Sequence, residues 1–276
     1  MSSPTWNSDE LPQHKAPGAL GWVLIAVRAL LIILCMVLGM LVLLSLRLIE
    51  RPVFGMHRPV SPFVTQIVCR VSLWILGLRL ITQGRPMKGQ GAIVANHTSW
   101  LDILVLNASD RVYFVSKAEV ERWPGIGWLA KATGTLFITR DRSHAKDHAN
   151  MFIHRLQAPH RLLFFPEGTS TDGQQVLAFK PTLFAAFYEP DLINETQIQP
   201  VSVVYHAPTG ADARFYGWWG DMGFGEHLLS TLAAVRHGYV EVIYHPPIAV
   251  KDTQSRKHLA ALAEQAVRAG HAAARS

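Results

Sequence analysis

Two short segments of the chain hold residue types whose spacing suits joint chemistry. In Asn96-His97-Thr98-Ser99-Trp100-Leu101-Asp102 a histidine stands five residues before an aspartate, directly after the apolar run Ala92-Ile93-Val94-Ala95. In Phe165-Pro166-Glu167-Gly168-Thr169 a Glu-Gly turn follows the apolar run Leu162-Leu163-Phe164-Phe165. An imidazole, with an ordinary pKa of about 6.5, can take a proton from a hydroxyl as that hydroxyl attacks. Such general-base help contributes roughly 10²–10⁴ in rate. The ring needs one nitrogen free to accept and the other held as a donor. A carboxylate at Asp102 supplies the hold and stabilises the imidazolium that forms. Base, orienting carboxylate and a second polar turn at a strand end are what acyl transfer to a hydroxyl needs.

Neither segment is decisive alone. Ser99-x-x-Asp102 also reads as a capping-box-like helix start, with Asp102 at the positive end of the helix dipole. A Pro-Glu-Gly turn also closes many strands. The His-Asp offset does not align on a regular helix, where three or four residues is favoured. The spacing therefore predicts His97 in the loop after a strand and Asp102 in the first turn of the next helix. Glu167 is expected to accept hydrogen bonds from acceptor hydroxyls. Gly168 is expected to allow an unusual backbone angle or the close approach of a ligand.

Together the blocks resemble the N-H-x4-D and F-P-E-G-T blocks of the glycerolipid acyltransferase family, the 1-acylglycerol-3-phosphate acyltransferase-like proteins. Gly134-Thr135-Leu136-Phe137-Ile138-Thr139-Arg140 resembles that family's G-x-x-F-I-x-R block, and Gln199-Pro200-Val201-Ser202 its V-P-V-type strand, with a different first residue. The matches span roughly residues 90–205. The resemblance implies catalysis by His97 and Asp102, and substrate binding by Asn96, Glu167, Gly168, Thr169, Arg140 and Lys180. Arg140 would meet an anionic headgroup through charge-assisted hydrogen bonds. It implies no metal and no cofactor, only a co-substrate thioester on acyl carrier protein or coenzyme A. One departure matters. Members that make phosphatidic acid read F-P-E-G-T-R-S, whereas Ser170 and Thr171 follow Thr169 here. The arginine that would meet an acceptor phosphate is missing, and a charge-assisted contact is typically worth ~1.5–3 kcal/mol. The run through Gly173, with Phe179-Lys180-Pro181-Thr182, looks most like the branch of bacterial lyso-ornithine lipid acyltransferases. Lysophosphatidic acid is the alternative acceptor, since Arg140, Lys180 and Lys117 could still carry phosphate. A lipid-binding protein on an inactive copy of the fold, and an esterase using His97 on water, are the rivals.

These residues need a scaffold. Short β-like runs occur at 91–95, 111–115, 134–139, 161–165, 198–205 and 238–244, and helix-like stretches at 99–108, 143–157, 181–189, 224–236 and 253–272. That alternation predicts an α/β fold, a mixed sheet flanked by helices. Residues 85–276 are expected to form the catalytic domain. The apolar segment Trp123-Pro124-Gly125-Ile126-Gly127-Trp128 reads as flexible, and either touches the interface or packs as core. His144 and His148 have zinc-like spacing but lack an HExxH pattern or third ligand, so a solvated helix face is expected.

Ahead of the domain the chain changes character. Residues 1–18 are polar and proline-bearing, and predict a disordered tail. Residues 19–84 read as a membrane anchor, with a cleaved signal peptide as the competing reading, followed by a helix that is either interfacial or packed on the catalytic domain. Ala29–Leu46 is an uncharged stretch of 18 residues, roughly 27 Å as a helix, near the ~30 Å of a bilayer core. Ala19–Val27 extends it, with Arg28 expected to snorkel. In 61–82, Phe63, Ile67, Val71, Trp74, Leu78 and Ile81 mark one helix face, interrupted by Arg70 and Arg79. Arg47, Arg51 and Arg58 follow the anchor and only Lys15 clearly precedes it. The positive-inside rule then puts the domain on the cytoplasmic side of the inner membrane. A helix that dips into one leaflet and returns is the alternative. Composition agrees with attachment: 49% of residues are hydrophobic and only 17% charged, against ~25% charged in soluble domains. The net charge of +6 suits an anionic membrane surface. Expected partners are membrane lipids, a lysolipid acceptor and the thioester carrier. No nucleic-acid recognition motif is present. The two cysteines, Cys35 and Cys69, lie inside apolar segments and read as small buried hydrophobes.

Overall fold

A computed structural model describes residues 5–8, 12, 16–123, 125–138, 145–158 and 160–276. Its centre is an eight-stranded mixed sheet. The strands are β1 (Arg79–Gln83), β2 (Gly91–Ala95), β3 (Tyr113–Lys117), β4 (Leu136–Ile138), β5 (Arg161–Phe164), β6 (Gln197–His206), β7 (Tyr239–Tyr244) and β8 (Ile248–Ala249). They lie in the order β1-β7-β6-β2-β5-β3-β4, with β8 on β6. The block β6-β2-β5-β3-β4 is parallel throughout, and β7 pairs β6 antiparallel.

A parallel block must be covered on both faces, which explains the continuous buried runs Gly91–Ala95 in β2 and Leu162–Phe164 in β5, and why the buried Gln199 and Ser202 of β6 are hydrogen-bonded. Along β2 the side chains still alternate between two cores. Ile93 and Ala95 join α2 (Ser61–Leu76), α3 (Leu101–Ser109) and α6 (Phe224–Ala233) on one face. Ala92 and Val94 join α5 (Ala145–Gln157), α7 (Arg256–Arg275) and the 3-10 turn Leu183–Tyr188 on the other. Strands and helices therefore form the three-layer α/β arrangement that the alternation predicted.

The N-terminal region departs from expectation in three ways. First, the apolar stretch belongs to one helix, α1 (Ala19–Phe54), of 36 residues. Its Arg28 does not snorkel: the guanidinium donates to the Leu232 and Ala234 carbonyls at 2.8 and 2.6 Å, where a cation meets the negative end of α6. Second, the periodic face of 61–82 is not one helix. Helix α2 stops at Gly77, which takes φ 82° and donates its N–H to the Leu73 and Trp74 carbonyls, and the chain re-enters as β1, paired with β7. The sheet thus begins six residues ahead of the expected domain start. Third, within the tail expected to be disordered, Thr5–Ser8 rest on the catalytic domain.

Helices α1 and α2 form an antiparallel hairpin. They touch so closely that a Cβ on Gly39 would fall 2.2 Å from Val68. Buried Glu50 accepts the Val60 and Ser61 backbone N–H groups at the start of α2. The turn itself is pinned to the domain: Arg58 donates to the Ala132 carbonyl at 3.3 Å and lies over the Tyr113 ring. The Trp123–Trp128 segment leads into a helix that the pattern missed, α4 (Ile126–Thr133), on which Trp128 is exposed.

Candidate active site

Each of the two blocks follows the carboxyl end of a parallel strand, β2 and β5, where ligands of open α/β sheets bind. Adjacent pairing of β2 and β5 brings His97 and Phe165 together, their rings stacked at 4.0 Å. His97 sits in the loop after β2 and Asp102 in the first turn of α3, so the loop closes the five-residue offset. His97 Nδ1 lies 2.7 Å from Asp102 Oδ2. With Nδ1–H donating to the carboxylate, Nε2 is the nitrogen available to a hydroxyl. The imidazole is one-fifth exposed while Asp102 is fully buried.

Asp102 is held by more than the histidine. Its Oδ2 accepts the Thr98 and Ser99 backbone N–H groups at 2.8 and 3.1 Å, so the helix-start role and the orienting role share one carboxylate. Its Oδ1 accepts the Tyr205 hydroxyl at 2.8 Å. Burial and the Asp102 charge push the Tyr205 pKa well above its ordinary value, which keeps that hydroxyl a permanent donor. Tyr205 was not singled out from the sequence. The one available signal, a polar-tipped residue at the end of an apolar strand, is too common to single out a site.

Two expected substrate ligands do other work. Asn96 is buried, and its amide both donates to the Val203 carbonyl and accepts the Val203 N–H, each at 2.8 Å. It ties the end of β2 to β6, and its burial turns it away from substrate. Glu167 is buried too: its two oxygens accept the N–H groups of His97 and Leu177 at 2.8 and 3.0 Å. It clamps the histidine loop instead of facing acceptor hydroxyls. Burial pushes its carboxyl up to about 8, against the two amide donors, which favour the charged form.

Gly168 takes φ +72°, and a Cβ there would meet Lys180 Nζ at 3.0 Å. The turn thus needs glycine both for its backbone angle and for the lysine beside it. Lys180 is exposed and is tied by its backbone N–H to the Pro166 carbonyl, which holds a cation next to the turn. The Thr169 hydroxyl accepts the Trp6 N–H at 3.4 Å and donates to the Ser170 carbonyl. Arg140, and the side chains of His144 and His148, lie outside the described residues.

A mixed sheet with a His–Asp pair at the ends of its parallel strands suits an acyltransferase, and the sequence model of the acyltransferase family matches residues 79–204. The chain belongs to this family and is an acyltransferase. Over 98% of both chains it is 54% identical to a lyso-ornithine lipid O-acyltransferase of Rhodobacter capsulatus. A lyso-ornithine lipid O-acyltransferase of Brucella abortus is 36% identical over 78% of this chain and 82% of its own. The fold matches the crystal structure of a 1-acyl-sn-glycerophosphate acyltransferase from Thermotoga maritima, at a TM-score of 0.59 and 18% identity, over 90% of this chain and 98% of that one.

Proposed function

We propose that this enzyme moves a fatty acyl group from a thioester, on acyl carrier protein or coenzyme A, to the hydroxyl of lyso-ornithine lipid in membrane lipid synthesis. The observation that carries the chemistry is the 2.7 Å contact between His97 Nδ1 and Asp102 Oδ2. His97 Nε2 takes the hydroxyl proton as the oxygen attacks the thioester carbonyl. Asp102 steadies the imidazolium, and the proton then goes to the departing thiolate. No covalent acyl-enzyme is needed. The acceptor follows from Ser170 in place of an arginine and from the names of the full-length relatives. Lys180 beside Gly168 supplies one cation to a headgroup carboxylate, and the family resemblance gives Arg140 a like role.

By length and composition α1 could cross a bilayer. Both its base, through Arg28, and the hairpin turn, through Arg58, rest on the catalytic domain. A full crossing would carry the turn some 30 Å from the domain. We therefore take the hairpin to lie in one leaflet of the inner membrane with the catalytic domain on its cytoplasmic side. The exposed faces of Leu30, Leu34, Leu38 and Leu41 on α1 and of Phe63, Ile67 and Trp74 on α2 then meet lipid.

A competition assay tests the reading. Membranes with this enzyme receive one labelled thioester and equal lyso-ornithine lipid and lysophosphatidic acid. Label is expected mainly in ornithine lipid, and His97→Ala should lower the rate by at least ~10². Near-full activity in that variant would refute the mechanism, and label mainly in phosphatidic acid would refute the acceptor.

A further inference from the structure

The N-terminal segment Thr5–Ser8 is docked on the loops that hold His97. Trp6 donates its backbone N–H to Thr169 Oγ1, and its ring lies 6.0 Å from that of Trp219, tilted by 57°. Trp219 Nε1 donates to Ser8 Oγ at 3.1 Å. Asn7 packs so tightly on Gly220 that a Cβ there would meet its Oδ1 at 2.6 Å. The loops beneath are bonded to the histidine block: the Thr171 N–H donates to the His97 carbonyl and the Trp218 N–H to the Thr98 carbonyl, both at 2.9 Å. Trp219 is buried in this arrangement, whereas Trp6 is only half-buried.

An amino-acid headgroup with an ammionium and a carboxylate needs two kinds of contact. Lys180 can meet the carboxylate. Among the described residues the nearby acids already hold partners: Asp102 on His97 and Tyr205, Glu167 on two backbone amides, Asp172 Oδ1 on the Gln174 N–H. An indole face attracts a cation without a carboxylate. We propose that Thr5–Ser8 forms the outer wall of the acceptor pocket, and that the Trp6 ring receives the ammonium of a zwitterionic headgroup while Lys180 meets its carboxylate. This rests on the acceptor reading above and adds a residue some 90 positions from the catalytic block.

The test uses the full-length enzyme in mixed micelles, with Trp6→Ala, Trp6→Phe and a deletion of residues 2–8. Trp6→Ala and the deletion are expected to raise the KM for lyso-ornithine lipid on the order of tenfold, the scale of a desolvated cation–π contact. The KM for the thioester should hold, and Trp6→Phe should restore most of the acceptor affinity. Preference over lysophosphatidic acid should fall with the loss of the indole. Thermal unfolding of each variant is measured alongside, because Thr5–Ser8 belongs to none of the helices or strands and its loss should leave the fold standing. An acceptor KM within twofold of the unchanged enzyme, or an equal rise in both KM values, would overturn the wall. A failure of the acceptor reading shows up separately, in the unchanged enzyme: strong preference for lysophosphatidic acid would overturn the ammonium contact along with it.

Discussion

Asp102 serves four neighbours at once, and the Tyr205 hydroxyl is the one that can be removed without touching the imidazole or the backbone. Tyr205→Phe keeps the ring and deletes the O–H that donates to Oδ1. A buried carboxylate oxygen left without its donor costs ~1–3 kcal/mol, so the unfolding midpoint should drop modestly. The freed carboxylate holds His97 less firmly, and kcat should fall about tenfold with little change in either KM. Steady-state kinetics and thermal melts on one preparation check both effects. Glu167 gives a pH signature. Its folded-state pKa, about 8, stands above the ordinary value of 4.5. Its contribution to stability is therefore full below pH 4.5, declines as pH rises toward 8, and is flat beyond. In Glu167→Gln that part of the decline should vanish from denaturant midpoints taken between pH 5 and 9. The same variant turns an amide NH₂ toward a backbone N–H at His97 or Leu177, and kcat should fall about tenfold as the loop loosens. A Gln variant with the original pH profile and full activity would show that the clamp is not used.

At the scale of elements, the α1–α2 hairpin is where the one-leaflet reading proposed above departs furthest from hydropathy alone. Hydropathy and length describe α1 as a spanning helix, because both depend only on the helix itself. Its course is set by contacts with other elements: Arg28 to the end of α6, Glu50 to the start of α2, and Arg58 to the end of α4. A hairpin lying in one leaflet makes a topological prediction. Thiols introduced by Arg51→Cys at the hairpin turn and Lys257→Cys on α7, both at exposed positions, should react with an impermeant reagent from the same side of sealed membrane vesicles. Reaction from opposite sides would mean that α1 crosses. The strands, by contrast, were legible within a residue or two at 91–95, 161–165, 198–205 and 238–244, since strands such as β2 and β5 that are buried on both faces form apolar runs and β7 alternates buried with half-buried residues. β1 escaped because its apolar residues continue the helical period of α2, and only Gly77 breaks it.

At the scale of the whole molecule, one face is membrane-seeking and the opposite end of the parallel strands is chemical, and the sheet joins them. Helices α1, α2, α3 and α6 all cover the same side of the sheet, so the hairpin and the helix carrying Asp102 share one core. In the reading proposed above, a lysolipid held at the hairpin's surface reaches the strand ends that carry His97 by way of this shared core.

By itself the sequence determined the motif blocks that hold His97, Asp102 and Glu167, the strand-and-helix alternation and the long apolar N-terminal helix, because each is local: a motif, a period or a run is complete within a few residues. The tertiary structure alone decided what the neighbouring polar groups do. Asn96 and Glu167 sit in the motif blocks yet spend their hydrogen bonds on backbone groups of Val203, His97 and Leu177. Tyr205 reaches Asp102 across 103 positions, and Trp6 reaches Thr169 across 163. A buried polar side chain must find a partner, but which partner depends on strand order and loop packing, and these exist only once the chain has folded.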